Sequence, residues 1–348
     1  MIETTVQRYD KSNMRKLLVR FPDQIEDAVQ IGKSARIPFK GSSVRNIVVT
    51  GLGGSAIGGD LLRSYAAGEL GVPFIVNRNY MLPEFVDQKT LVIVSSYSGG
   101  TEETIAAHTD AKKRRAMIIS ISSGGETERL AKKFRHPSIR IPKGYPPRTA
   151  LGYSFFPALH ILMRMKLLSS KKKDIKETVA LLRKHSTSYS SLNDQNAALN
   201  LAKQLYTKLP IVYSAADRLD VVNLRWRGQL AENAKVLAFG HVLPEMNHNE
   251  IVGWKVLQRQ MSEMAVIFLR DGAEHQRIKE RMRITKGIVS EFSNKIIEVQ
   301  SEGKSLLARL FSLVYIGDWT SYYLALLNGV DPTPVRIIDY LKWELTKF

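Results

Sequence analysis

The chain has 348 residues, no cysteine, and 51 basic against 33 acidic side chains, for a formal net charge of +18. That length is more than one ordinary core fills and suits two domains. The lack of cysteine excludes disulfides and thiolate metal sites. The positive charge is spread in short runs (Lys112–Arg115, Lys132–Lys133, Lys171–Lys173, Arg277–Lys286) with no aromatics between them, so it reads as solvated helix faces rather than a nucleic-acid platform.

The opening residues MIETTVQRYDKSNMRKLL place no apolar run behind a basic start, so no secretory signal is expected and the expected location is cytoplasmic. Short apolar runs then recur with helix-like stretches between them: NIVVTG (46–51), PFIVNR (73–78), TLVIVSS (90–96), AMIISIS (116–122) and SIRIP (138–142). Strands of this kind are buried on both faces and predict a parallel sheet with helices on either side. A polar, lysine-rich helical stretch follows over 157–200. The alternation resumes with LPIVYSA (209–215), AKVLAFG (234–240), EMAVIFLRD (263–271) and KIIEVQ (295–300). The apolar segment 305–327 is interrupted by Arg309 and Asp318, each costly at a bilayer centre, so it predicts a buried helix and no membrane span. The tail GVDPTPVRIIDYLKWELTKF reads as a proline-braked turn and a short helix. The predicted class is α/β, with two doubly wound parallel-sheet domains flanked by helices. Their expected bounds are 1–156, a helical connection over 157–200, a second domain over 201–330, and a closing turn and helix over 331–348.

The first strand runs into GLGGSAIGG (51–59), a glycine turn that opens a helix and is a ready anion site. Its letters satisfy the dinucleotide fingerprint G-x-G-x-x-G/A. However, Arg78 stands after the second strand, where that fingerprint wants an acid to bind the ribose. An arginine there suits a 2′-phosphate, which leaves NADP open on this turn alone. A nucleotide P-loop is excluded, because Asp60 follows Gly58-Gly59 where Lys and Ser/Thr are required.

The third strand ends in SSYSGGTEET (95–104), a second turn, in which Ser96, Ser98 and Thr101 can each donate to one phosphate beside helix N-terminal amides. One such hydroxyl would be an ordinary N-cap, but three within this turn exceed what capping needs. Two neighbouring loops at strand C-termini suit a compact phosphate monoester, because ligands of such sheets bind at that edge.

GLGGSAIGGDLL with SSYSGGTEET resembles the sugar-isomerase (SIS) domain, a doubly wound fold that grips sugar phosphates. The chain is similar, more narrowly, to the bifunctional phosphoglucose/phosphomannose isomerases of archaea and some bacteria, which are built from two such domains. The likeness continues in order through PPRTALGYSF (146–155), AENAK (231–235), PEMNHNEIVGW (244–254), GDWTSYYLALL (317–327) and DPTPVRIIDYLK (331–342). It implies that hexose 6-phosphates are the substrates, that Gly54, Ser55, Ser96, Ser98 and Thr101 hold the phosphate, and that neither a cofactor nor a metal takes part.

Aldose–ketose isomerisation needs a base to move a proton between C1 and C2, a cation to steady the enediolate, and an acid/base to open the sugar ring. The resemblance puts Glu232 as the base, where it would otherwise be an ordinary helix-surface glutamate. It puts His248 at ring opening, a task that suits an imidazole titrating near neutrality, and implies that this histidine arrives from the neighbouring subunit of a homodimer. Arg148 matches the enediolate-stabilising arginine, and Lys342 the C-terminal lysine that assists ring opening or holds sugar oxygens. Thr333 falls in the turn where the family makes room for either C2 epimer. His241, Glu245, His248 and Glu250 lie close in sequence, but they lack the H-E-x-x-H spacing that places two ligands on one helix face, so no metal is expected.

The competing expectation is a sugar-phosphate sensor that binds without turnover. Such SIS modules accompany a helix-turn-helix domain, for which residues 1–40 leave no room. An amino-sugar isomerase with an ammonia source would need a glutaminase domain, and none is visible. Glu232, His248 and Lys342 together favour catalysis.

Overall fold

The computed structural model describes residues 2–216 and 218–347. It divides into two compact units. One comprises residues 20–183 with 303–308, and the other residues 1–19, 184–302 and 309–348.

The unit built on residues 20–183 holds a five-stranded parallel sheet: β1 (Asn46–Thr50), β2 (Phe74–Asn77), β3 (Thr90–Ser96), β4 (Met117–Ser122) and β5 (Ser138–Arg140), in the order β2-β1-β3-β4-β5. Every residue of β3 is buried, as befits a strand with layers on both faces. Val48 of β1 sits level with Ile75 of β2 and Val92 of β3. The chain leaves β1 towards β2 and then crosses to β3 on the other side of β1. That reversal opens a crevice at the C-terminal ends of β1 and β3, where the glycine turn and the hydroxyl loop emerge. Helices Phe21–Ser34, Gly53–Ala66, Glu102–Lys113, Gly125–Phe134 and Leu151–Arg164 accompany the sheet. The helix Leu151–Arg164 is buried over Leu151–Leu162.

The other unit has a four-stranded parallel sheet: β6 (Leu209–Ala215), β7 (Phe239–Leu243), β8 (Met264–Arg270) and β9 (Lys295–Gln300), in the order β7-β6-β8-β9. The helix Asp220–Ala234 follows β6, and two short 3-10 turns, Glu245–His248 and Glu250–Gly253, follow β7. The helix Leu306–Leu327 is the segment expected to be buried, and Trp319, Tyr322 and Tyr323 on it are fully so. Its two charges are paired within the unit: Arg309 with Asp271 at 2.7 Å, and Asp318 with Arg225 through two bonds of 3.0 and 2.7 Å. No helix of the described residues is long and apolar enough to cross a membrane.

One expectation is corrected: the second-unit strand expected at 234–240 lies at Phe239–Leu243. Lys235 adopts the left-handed conformation that ends the helix, so 234–238 cannot continue into a ladder. The two compact units are composed as follows. Residues 1–19 belong with the four-stranded unit, because Tyr315 donates to the carbonyl of Leu18 at 2.8 Å and Tyr322 donates to the Asp10 carboxylate at 3.1 Å. Residues 157–183 belong with the five-stranded unit, where Tyr65 on the first sheet helix donates to Asp174 at 2.6 Å.

Candidate active site

At the end of β1 the chain turns through Gly51 and Leu52 into the helix Gly53–Ala66. The glycines here serve close approach. A side chain on Gly54 would bring its Cβ to 2.7 Å from the carbonyl oxygen of Pro147, so only glycine lets the segment bearing Arg148 rest on the turn. Ser55 is buried, and its hydroxyl accepts from the backbone N–H of Tyr97 at 3.2 Å, joining the glycine turn to the loop after β3.

That loop is ordered by its own hydroxyls. Ser96 Oγ accepts the Gly99 N–H and donates to Thr101 Oγ1, both at 3.1 Å, while the exposed Ser98 accepts the Gly100 N–H at 3.2 Å. Thr101 is the N-cap residue of the helix Glu102–Lys113, yet its side chain makes no capping bond. The hydroxyls are therefore not explained by capping alone, and the helix start stands beside them as an anion-accepting end. Gly99, at φ +71°, packs directly on the carbonyl of Gly124 at the end of β4, where any side chain would collide. Thr127 then donates its N–H to Gly99 at 2.8 Å.

From β5 the chain passes over this edge of the sheet. Tyr145 donates its N–H to the Tyr97 hydroxyl at 2.8 Å, and burial pushes that phenol's pKa up, keeping it neutral. The 3-10 turn Pro147–Thr149 follows, with Arg148 only 4% exposed. Arg148 is thus no solvated surface arginine. Within this unit the structure brings together Gly54, Ser55, Ser96, Thr101 and Arg148, with Ser98 at the rim.

In the other unit Glu232 lies half-buried near the C-terminus of the helix Asp220–Ala234. Two positions on the same stripe of this helix are fixed internally: Arg225 by its paired bonds to Asp318, and Gln229 by a 2.8 Å bond to the same carboxylate. Lys235 donates to the carbonyls of Glu232 and Pro334, the latter at 2.6 Å, so the turn holding Thr333 is tied to the end of the Glu232 helix. Thr333 in turn donates its N–H to Asp331 at 2.8 Å.

His248 ends the 3-10 turn after β7 and is exposed. Lys342 sits on the helix Arg336–Leu345, none of whose residues is buried. Among the described residues of this unit, no hydrogen bond or ion pair joins Glu232 to His248 or Lys342.

The alternatives raised by the sequence fare poorly. Arg78 is ion-paired with Asp60 on the helix Gly53–Ala66, so the cation that a 2′-phosphate would need is already engaged. Of the four residues with metal-like spacing, Glu250 accepts from Tyr213 at 2.5 Å and Glu245 from Asn249 at 2.8 Å.

Sequence reasoning missed Tyr97 and Gln24, which hold the Arg148 segment through backbone groups. Tyr97 stands inside the quoted hydroxyl loop, but nothing in its spacing reports that its hydroxyl serves a residue so much later in the chain.

A model of the bacterial phospho-glucose isomerase C-terminal SIS domain matches residues 194–345. A bifunctional phosphoglucose/phosphomannose isomerase of Caldicellulosiruptor bescii is 43% identical over 336 residues, spanning 96% of this chain and 99% of that protein. The one from Aquifex aeolicus is 35% identical over 312 residues, 89% of this chain and 92% of its own length. Among solved structures, a hypothetical protein from Thermus thermophilus shares the fold with a TM-score of 0.77 at 15% identity, covering 99% of this chain and 92% of that one.

Proposed function

Because the chain belongs to the bifunctional phosphoglucose/phosphomannose isomerase family, we propose that it interconverts glucose 6-phosphate and mannose 6-phosphate with fructose 6-phosphate. One observation supports this most: at the sheet reversal, two anion-accepting loops stand side by side with a buried arginine packed against one of them. That set suits a phosphate monoester whose carbon skeleton develops negative charge.

In this reading the phosphate is held by the Gly54–Ser55 turn and the hydroxyls of Ser96, Ser98 and Thr101. Glu232 takes the proton from C2 of the aldose, or from C1 of the ketose, and returns it to the other carbon. The electrons left behind make a cis-enediolate, and the Arg148 guanidinium steadies its oxygens, the kind of term that dominates such reactions. Ring opening precedes this step and falls to His248, with Lys342 holding sugar oxygens. Thr333 sits where either C2 configuration must be accepted. Every step is a proton transfer or a charge contact by these side chains, and none calls on a cofactor or metal.

The working protein is a cytoplasmic homodimer, with His248 supplied across the interface. In support, His248 is exposed on its own chain, and the helix Arg336–Leu345 leaves Ile337 85% exposed along with Tyr340, Leu341, Trp343 and Leu345. So much uncovered apolar surface marks an interaction face.

The test is incubation with fructose 6-phosphate and EDTA, measuring both aldose phosphates, with Glu232→Gln alongside. Both products from the parent and neither from the variant support the reading. Glucose 6-phosphate alone removes the mannose activity. Tight binding with neither product replaces the enzyme with a sensor.

A further inference from the structure

We propose that Gln24 is a positioning residue for Arg148, a part that rests on the isomerase reading above. Gln24 lies on the helix Phe21–Ser34, and its side chain is 4% exposed. Its amide makes two bonds to the chain immediately after Arg148: Nε2 donates to the Thr149 carbonyl at 2.9 Å, and Oε1 accepts the Gly152 N–H at 2.8 Å. Gly152 is the second residue of the helix Leu151–Arg164, so its N–H is one of the donors a helix start cannot satisfy internally. A Cβ at Gly152 would lie 2.8 Å from Gln24 Oε1, so the glycine is what allows this approach.

Further contacts constrain the chain on both sides of Arg148. Pro147 rests on Gly54, Thr149 donates its N–H to Pro146 at 2.8 Å, and one turn along the Gln24 helix Asp27 accepts from Tyr153 at 2.8 Å. Gln24 is the only one of these groups whose side chain supplies both a donor and an acceptor to the turn–helix junction. Without it, a buried carbonyl and a buried N–H lose their partners and the junction must shift to find others. Arg148 would move with it, and catalytic groups tolerate little displacement.

The experiment is a double-mutant cycle with Gln24→Leu and Arg148→Ala, measuring kcat and KM for fructose 6-phosphate. Gln24→Leu is expected to lower kcat about tenfold or more while KM changes less than about twofold, the pattern of a misplaced transition-state contact. In the Arg148→Ala background the same change should alter kcat by less than about twofold, because the two act as one unit. Equal losses in both backgrounds, or no loss in the parent, would overturn the proposal. Should Gln24→Leu fail to fold, Gln24→Glu keeps the acceptor for Gly152, loses the donor to Thr149, and is put through the same cycle. Activity surviving intact in Arg148→Ala overturns both the role of Arg148 and this proposal. A parent that makes neither aldose phosphate overturns the isomerase reading itself, and with it the role given to Gln24.

Discussion

The ammonium of Lys235 donates to the carbonyl of Pro334 at 2.6 Å, across 99 positions of sequence, and so ties the end of the Glu232 helix to the turn that holds Thr333. Lys235 is exposed, so Lys235→Met should shift Tm by less than about 2 °C. It frees the turn, however, and should change the ratio of glucose 6-phosphate to mannose 6-phosphate formed by about twofold or more. Separate quantification of the two products checks this; an unchanged ratio would detach Lys235 from the choice of epimer.

Ser96 both donates and accepts within the loop after β3. Ser96→Ala should raise KM for fructose 6-phosphate about tenfold, the worth of one hydrogen bond to a charged group, with kcat within about twofold. Initial-rate kinetics decide it. A fall in kcat at unchanged KM would move Ser96 from phosphate binding to the chemistry.

Glu232→Gln removes the carboxylate proposed as the base while keeping shape, and should lower kcat by about a thousandfold. Mixed with a His248→Gln subunit, it offers a sharper measurement. If His248 serves the partner's site, random heterodimers recover about a quarter of parental activity, because one site in each mixed dimer is intact. No recovery would place both residues in one subunit's site.

His108 on the helix Glu102–Lys113 and His136 after the helix Gly125–Phe134 meet with their Nε2 atoms 2.6 Å apart. Burial and its partner push the pKa of His108 down to about 4, and burial lowers that of His136. His108 is thus neutral when folded but takes a proton when unfolded near pH 6, and the lowered pKa of His136 acts in the same direction, so stability is lost as pH falls from about 6.5 towards 4. For His108 alone this amounts to about 3 kcal/mol. Urea unfolding of the parent and of His108→Leu at pH 7.5 and 5 should show a smaller pH loss in the variant. Equal losses would mean other groups carry the acid sensitivity.

Asp318 is buried, holds Arg225 and Gln229, and feels burial pulling its pKa up against the pull of Arg225. Asp318→Asn removes the buried carboxylate charge that both Arg225 and Gln229 bond to and should cost about 3–5 kcal/mol. Chemical denaturation measures it, and a loss below about 1 kcal/mol would mean the pair relaxes towards water.

The first sheet was legible because its strands are continuous apolar runs, which have few other destinations than a two-sided core. The strand Phe239–Leu243 was displaced in the reading because FGHVL is less apolar than the preceding KVLAF, and the left-handed turn at Lys235 has no letter of its own. The hydroxyl loop could be read as a cluster, since its members are neighbours in sequence. Gln24 could not, because a glutamine on the buried face of an amphipathic helix looks like an interruption until its partners, 125 and 128 residues away, are seen. The glycine turn was ambiguous on its own for a related reason. Its letters fit a dinucleotide motif, whereas Gly54 answers to Pro147.

The attachment of residues 1–19 to the tyrosines of the helix Leu306–Leu327 also sets an order of docking. Leu18 and Asp10 meet their partners 297 and 312 residues later, so residues 1–19 cannot make these two bonds until the helix Leu306–Leu327 has been translated. The segment 20–183 can gather its five strands while translation continues. Until Tyr315 and Tyr322 emerge, Leu18 and Asp10 lack these two partners.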